Sequence, residues 1–165
     1  LYNLGVVYEA KRSYEKAKNF YKEAIKIQTE LAENNPAHFN SLAITYNNLG
    51  VVMELTDKLE KAKECYLKAA NSYLVIAQAN IDEYFWRIVS LVCGNLDSLS
   101  DEIYVVKIDI AQIYIRTAIL LEKSGDLQKA KAVYSGALLI YQEYQGYKEQ
   151  IIELTDKISR FKKMD

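Results

Sequence analysis

Small and aromatic side chains recur along the chain at steps of four and then three residues: Ala17, Tyr21, Ala24, then Ala62, Tyr66, Ala69, then Ala130, Tyr134, Ala137. Positions three and four apart share one face of a helix, so each trio predicts an amphipathic helix with a closely packed stripe. A second pattern stands upstream of the first two trios. Asn3-Leu4-Gly5-Val6-Val7 recurs as Asn48-Leu49-Gly50-Val51-Val52. Ahead of the third trio the pattern is looser, with Tyr114, Thr117, Ala118 and Leu121. Each copy therefore predicts two helices, with Gly5, Gly50 and Ala118 letting the second helix approach the first. Ala17, Ala62 and Ala130 supply the matching small surface, and Tyr21, Tyr66 and Tyr134 fill the gap alongside. Ser13, Asp57 and Asp126 stand where each second helix needs an N-cap, and Glu60 behind Asp57 suggests a capping box.

With these residues in register, the chain resembles the tetratricopeptide repeat, whose signature runs W-x₂-L-G-x₂-Y followed by A-x₃-F. Leu1, Tyr46 and Tyr114 stand in the Trp position. The resemblance covers about three repeats, near 1–36, 37–81 and 100–146. It implies an all-α fold, a right-handed α-α superhelix of antiparallel helix pairs, as a single domain over 1–165. The family's Pro at the end of the second helix is replaced by Thr29, Leu74 and Gln142, so those helices should run longer than usual. Leu4 and Leu49 are 45 residues apart, against about 34 for the common repeat, with the delayed turn around Pro36. This extended form is similar to the longer repeats of kinesin light chains and many prokaryotic repeat proteins.

The spacing from Leu49 to Thr117, 68 residues, leaves room for a divergent helix at 82–93, a turn around Gly94 to Ser98, and a long helix from about Ser100 to Ser124. A capping helix is expected at 147–163, with Ile151, Ile158 and Phe161 inward and Lys157, Arg160 and Lys163 outward, closing the open end of the stack. The run from Tyr84 to Cys93 is apolar almost all round, and reads either as a buried plug or as a face for a partner. Leu1 falls inside a repeat motif, which leads to the expectation of a fragment of a longer protein.

Composition narrows the function classes. Lys and Arg number 21 against 22 Asp and Glu, so no surplus of positive charge exists to hold nucleic acid or an anionic membrane. No apolar run approaches the roughly 20 residues of a membrane-spanning helix. Cys65 and Cys93, far apart in a helical chain, fit reduced thiols and a cytoplasmic setting. His38 is the lone histidine and lies in the turn after Pro36, without a second ligand at metal spacing. No phosphate-loop motif occurs. Catalytic residues, metal ligands and cofactors are therefore all expected to be absent, and the chain is not expected to be an enzyme.

The resemblance further implies a concave groove lined by the first helices. Carried over residue by residue, its positions are Tyr2, Val6 and Glu9, then Asn47, Val51 and Glu54, then Ile115, Ile119 and Glu122, with Asn3, Asn48 and Arg116 in a deeper row. An Asn amide can pair with a peptide unit of an extended ligand, or equally bond within the stack. The two-carboxylate clamp of chaperone-tail-binding members is not matched, because Tyr2 and Val6 stand where its Lys and Asn would be. The function expected is a protein-interaction scaffold that takes a peptide or helical segment of a partner. The alternatives are a regulatory module of a larger enzyme or transcription regulator, and a structural protein that pairs with copies of itself.

Overall fold

The computed structural model describes residues 1–77, 83–99 and 106–161, with the backbone alone for 83–88. Every regular element among them is helical: α1 (Tyr2–Ala10), α2 (Tyr14–Asn34), α3 (Phe39–Glu54), α4 (Leu59–Ala77), α5 (Glu83–Asp97), α6 (Val106–Ser124), α7 (Leu127–Glu143) and α8 (Lys148–Phe161), with a short 3₁₀ turn at Pro36–His38. The all-α repeat fold is as the sequence implies. The helices divide into two compact units, Leu1–Tyr104 and Val105–Asp165. In the first, α1 pairs with α2 and α3 with α4, α2 lies against α3, and α5 packs on α4. In the second, α6 pairs with α7 and α8 closes against α7.

The repeated trios form the pairing surface. Ala17, Ala62 and Ala130 are fully buried, and the rings of Tyr21, Tyr66 and Tyr134 are 0 %, 0 % and 1 % exposed. Tyr21 and Tyr66 lie over the glycine of the partner helix: a Cβ placed on Gly5 or Gly50 would stand 2.4 Å from Cε1 of Tyr21 or Tyr66. With no Pro to stop it, α2 runs for 21 residues through Thr29, whose hydroxyl donates to the carbonyl of Ile25 at 2.8 Å. The delayed turn after α2 is built as its sequence suggests. Pro36 opens the 3₁₀ turn and the Asn35 side chain accepts from the amide of Ala37.

All three helix pairs reverse through the same device. The amide of Ser13 donates to the Tyr8 carbonyl and that of Arg12 to Glu9; Lys58 and Asp57 repeat this on Met53 and Glu54, and Asp126 and Gly125 on Leu121 and Glu122. This is a Schellman closure, which places one residue in the left-handed region. Those residues are Arg12 (φ 56°), Asp57 (φ 57°) and Gly125 (φ 87°). The expectation for Asp57 is thereby corrected. Asp57 is not the cap of α4 but the left-handed residue before it, and Lys58 is the counterpart of Ser13 and Asp126. Asp126 does cap its helix through the amide of Lys129 at 3.2 Å, whereas Ser13 makes no side-chain cap bond. A long side chain in the left-handed region costs about 1 kcal/mol that glycine avoids. Arg12→Gly should therefore raise stability by about 0.5–1 kcal/mol, read as a higher melting temperature, while an unchanged or lower value would show that Arg12 is held by contacts worth as much.

Two boundaries differ from the sequence reading. α5 runs to Asp97, through the Gly94 expected to turn, and the Ser98 amide still bonds the Gly94 carbonyl. A lone helical glycine costs only about 1 kcal/mol, and Val92, Cys93 and Leu96 around it are buried, so burial carries the helix past it. In α8, Lys157, expected outward, turns in toward α6 because an acidic partner waits there. The ends expected at 78–82, 100–105 and 162–163 lie outside the described residues.

Candidate functional site

The first helices carry a repeated polar couple that links them to their second helices. Glu9, Glu54 and Glu122 sit in the last turn of α1, α3 and α6, and each accepts a hydrogen bond from the tyrosine 12 residues on. The distances are 2.6 Å from Tyr21, 2.8 Å from Tyr66 and 3.0 Å from Tyr134. Burial, reinforced by the neighbouring carboxylate, pushes the Tyr21 and Tyr66 hydroxyls far above their ordinary range. Tyr134 is also raised, chiefly by burial. The three glutamates expected to face a ligand thus also anchor a buried phenol. The fixed spacing of 12 is visible in the sequence and was the signal that could have revealed it.

In the first unit, side chains join successive first helices directly. Asn48 donates to the Tyr2 hydroxyl at 3.1 Å, tying α3 to α1. Asn95 of α5 donates to the side-chain amide oxygen Oδ1 of Asn47 at 2.8 Å, and Ser98 donates to Glu54 at 3.2 Å. The expected depth order is not observed at these positions. Asn3 is exposed, whereas Asn47 is 8 % exposed and serves as an internal acceptor. Val6 is 39 % exposed, and Tyr2, Asn48 and Val51 are half-buried. Asn95 and Ser98 are partners that the sequence did not reveal, since nothing in a repeat register marks a residue on the divergent helix.

In the second unit the corresponding residues lie on α6. Ile115, Ile119 and Glu122 are half-buried and Arg116 is exposed. The two isoleucines line a cavity of about 80 Å³ together with Tyr134 of α7 and Gln150, Leu154 and Lys157 of α8. Lys157 pairs with Glu122 at 3.0 Å and stands 5.0 Å from the centre of the Tyr134 ring. Burial alone would raise the Glu122 carboxyl, but the hydrogen bonds from Lys157 and Tyr134 outweigh it and hold the group below its ordinary value. Leu154 and Phe161 provide the buried face of α8.

The remaining candidate chemistry is quiet. Cys65 and Cys93 are buried free thiols, pushed by burial up to about 11 and about 12, so neither presents a thiolate near neutrality. His38 is half-buried in the 3₁₀ turn. Among the described residues no group of three or more His, Cys, Asp or Glu converges as a metal site, and no helix is long and apolar enough to cross a membrane. In the run from Tyr84 to Cys93, the side chains of 84–88 lie outside the described residues. Beyond them, Val89, Val92 and Cys93 are buried and Leu91 is exposed, so the described end of the run has two distinct faces.

Residues 1–74, spanning α1 to most of α4, match the tetratricopeptide repeat family. No curated protein and no solved structure matches the chain.

Proposed function

From residues 1–74 being tetratricopeptide repeats, which are protein-interaction modules, we propose that this chain is a non-catalytic scaffold whose first helices hold a peptide or helical segment of a partner protein. The observation that carries this reading is the mixed surface left along α1 and α3. Val6 is exposed and Val51 half-buried beside the Tyr2–Asn48 bond, so an apolar side chain of a ligand would find valine, and its backbone would find an amide and a phenol. Asn3, Asn47, Glu9 and Glu54 frame this surface, and Ile115, Arg116, Ile119 and Glu122 offer the equivalent row on α6. Since Asn48 and the glutamates also bond within the fold, the valines give the cleaner probe.

The test is selection of binders from a displayed library of 12-residue peptides, followed by titration of the selected peptides against Val6→Glu and Val51→Glu. Both positions retain solvent contact, so the helical circular-dichroism signal should persist. A loss of affinity of at least tenfold in each variant is expected. Affinity unchanged in both variants would remove α1 and α3 as the binding surface.

A further inference from the structure

A second concavity in the first unit lies away from the surface just described, where α2, α3 and α4 meet. Its volume is about 350 Å³, within the range of ordinary ligand sites. Leu49 and Met53 of α3 and Cys65 of α4 form its floor, and all three are buried. Because burial keeps the Cys65 thiol neutral, that floor carries no charge near pH 7.

The rim is different. Lys22 projects from α2, and Lys61 and Lys68 from α4, against one lining carboxylate, Glu64. Glu64 is already engaged by Lys68 at 2.6 Å, and Lys68 lies 5.7 Å from the centre of the Tyr46 ring on the wall. Lys22 and Lys61 are exposed on different helices, so the rim carries a net positive charge over an apolar floor. Lys61 and Lys68 are two helical turns apart, so the rim extends about 10 Å along α4. An extended chain rises about 3.3 Å per residue, so three residues fit that length.

We propose that this trough docks an acidic segment of a partner protein, in which one large apolar side chain enters the floor between two carboxylates that meet the lysine rim. Charge complementarity selects the acidic segment, and the buried floor selects the apolar residue at its centre. The site is distinct from the first-helix surface, because none of its lining residues belongs to that surface and its cationic rim comes from the second helices α2 and α4.

The experiment uses the ¹⁵N-labelled chain and three probes: acetyl-Gly-Glu-Leu-Glu-Gly-amide, its counterpart with both Glu replaced by Lys, and benzoate. The acidic peptide is expected to shift amide resonances of α2, α3 and α4 around the trough, and the lysine peptide to shift none. In the double variant Lys22→Glu/Lys61→Glu, affinity should fall at least tenfold; both residues are exposed, and the helical signal checks that the variant folds. Added salt should weaken binding, since the rim is solvated. Shifts confined to Tyr2, Val6 and Val51, equal affinity in the double variant, or no shift at millimolar peptide would each overturn the proposal. Benzoate binding as tightly as the peptide would overturn it too, since a small anion would then suffice.

Discussion

Gly50→Ala is expected to lower the stability of the chain by about 2 kcal/mol, although alanine is the better helix former by about 1 kcal/mol. The new Cβ would stand 2.4 Å from Cε1 and 2.6 Å from Cδ1 of Tyr66. That ring is fully buried and its hydroxyl is held by Glu54, so it has no free direction in which to swing. In the third pair Ala118 occupies the equivalent position, 16 residues before Tyr134. Gly94→Ala supplies the control, since a Cβ there meets nothing within 4 Å. It should gain about 0.5–1 kcal/mol from helix propensity. Urea unfolding of the two variants should therefore move in opposite directions, and a neutral Gly50→Ala would show that close helix approach does not depend on that glycine.

The second large effect is expected in alkali. Tyr21, Tyr66 and Tyr134 are raised in the folded chain above their ordinary value of 10.0. A group whose folded value is raised contributes stability that is complete below its unfolded value. That contribution is lost as the pH climbs toward the folded one, because only the unfolded chain releases the proton. Each such tyrosine removes about 1.4 kcal/mol per pH unit above about pH 10, so three together produce a steep collapse. Circular dichroism followed from pH 8 to pH 12 should show cooperative loss of helix above pH 10. The triple variant Tyr21→Phe/Tyr66→Phe/Tyr134→Phe should start less stable near neutrality, by about 1 kcal/mol for each lost hydrogen bond, yet lose stability with a shallower slope. An identical slope in the variant would assign the alkaline transition to other groups.

The helix pairs were legible because their determinants are local. Gly-to-Tyr registration and the Ala-Tyr-Ala trios depend on spacings of 3, 4 and 16 within one chain segment, and the structure pairs them accordingly. Sequence and structure part where residue type and position give conflicting cues. Asp57 is a favoured cap by chemistry, but the closure of α3 needs a left-handed residue there, which passes the capping position to Lys58. Polarity alone points Lys157 outward, and the sequence does not show that α8 brings it to within 3.0 Å of Glu122. Asn47 and the cationic trough depend on side chains tens of residues apart meeting in space, Asn47 with Asn95, and Lys22 with Tyr46 and Lys61. No periodicity encodes those meetings. The first-helix surface was nameable residue by residue, but which of its members are spent on internal bonds was not.

The shared reversal also sets how the chain can come apart. Ser13 donates the last bond that closes α1, and its carbonyl accepts the amide of Ala17 in the first turn of α2; Lys58 and Asp126 do the same with Ala62 and Ala130. One residue thus bonds to both helices, through its N–H to the first and its C=O to the second, and fraying at either helix end strips a partner from the other. Amide exchange should consequently proceed by whole hairpins opening as units, not by single helices peeling away.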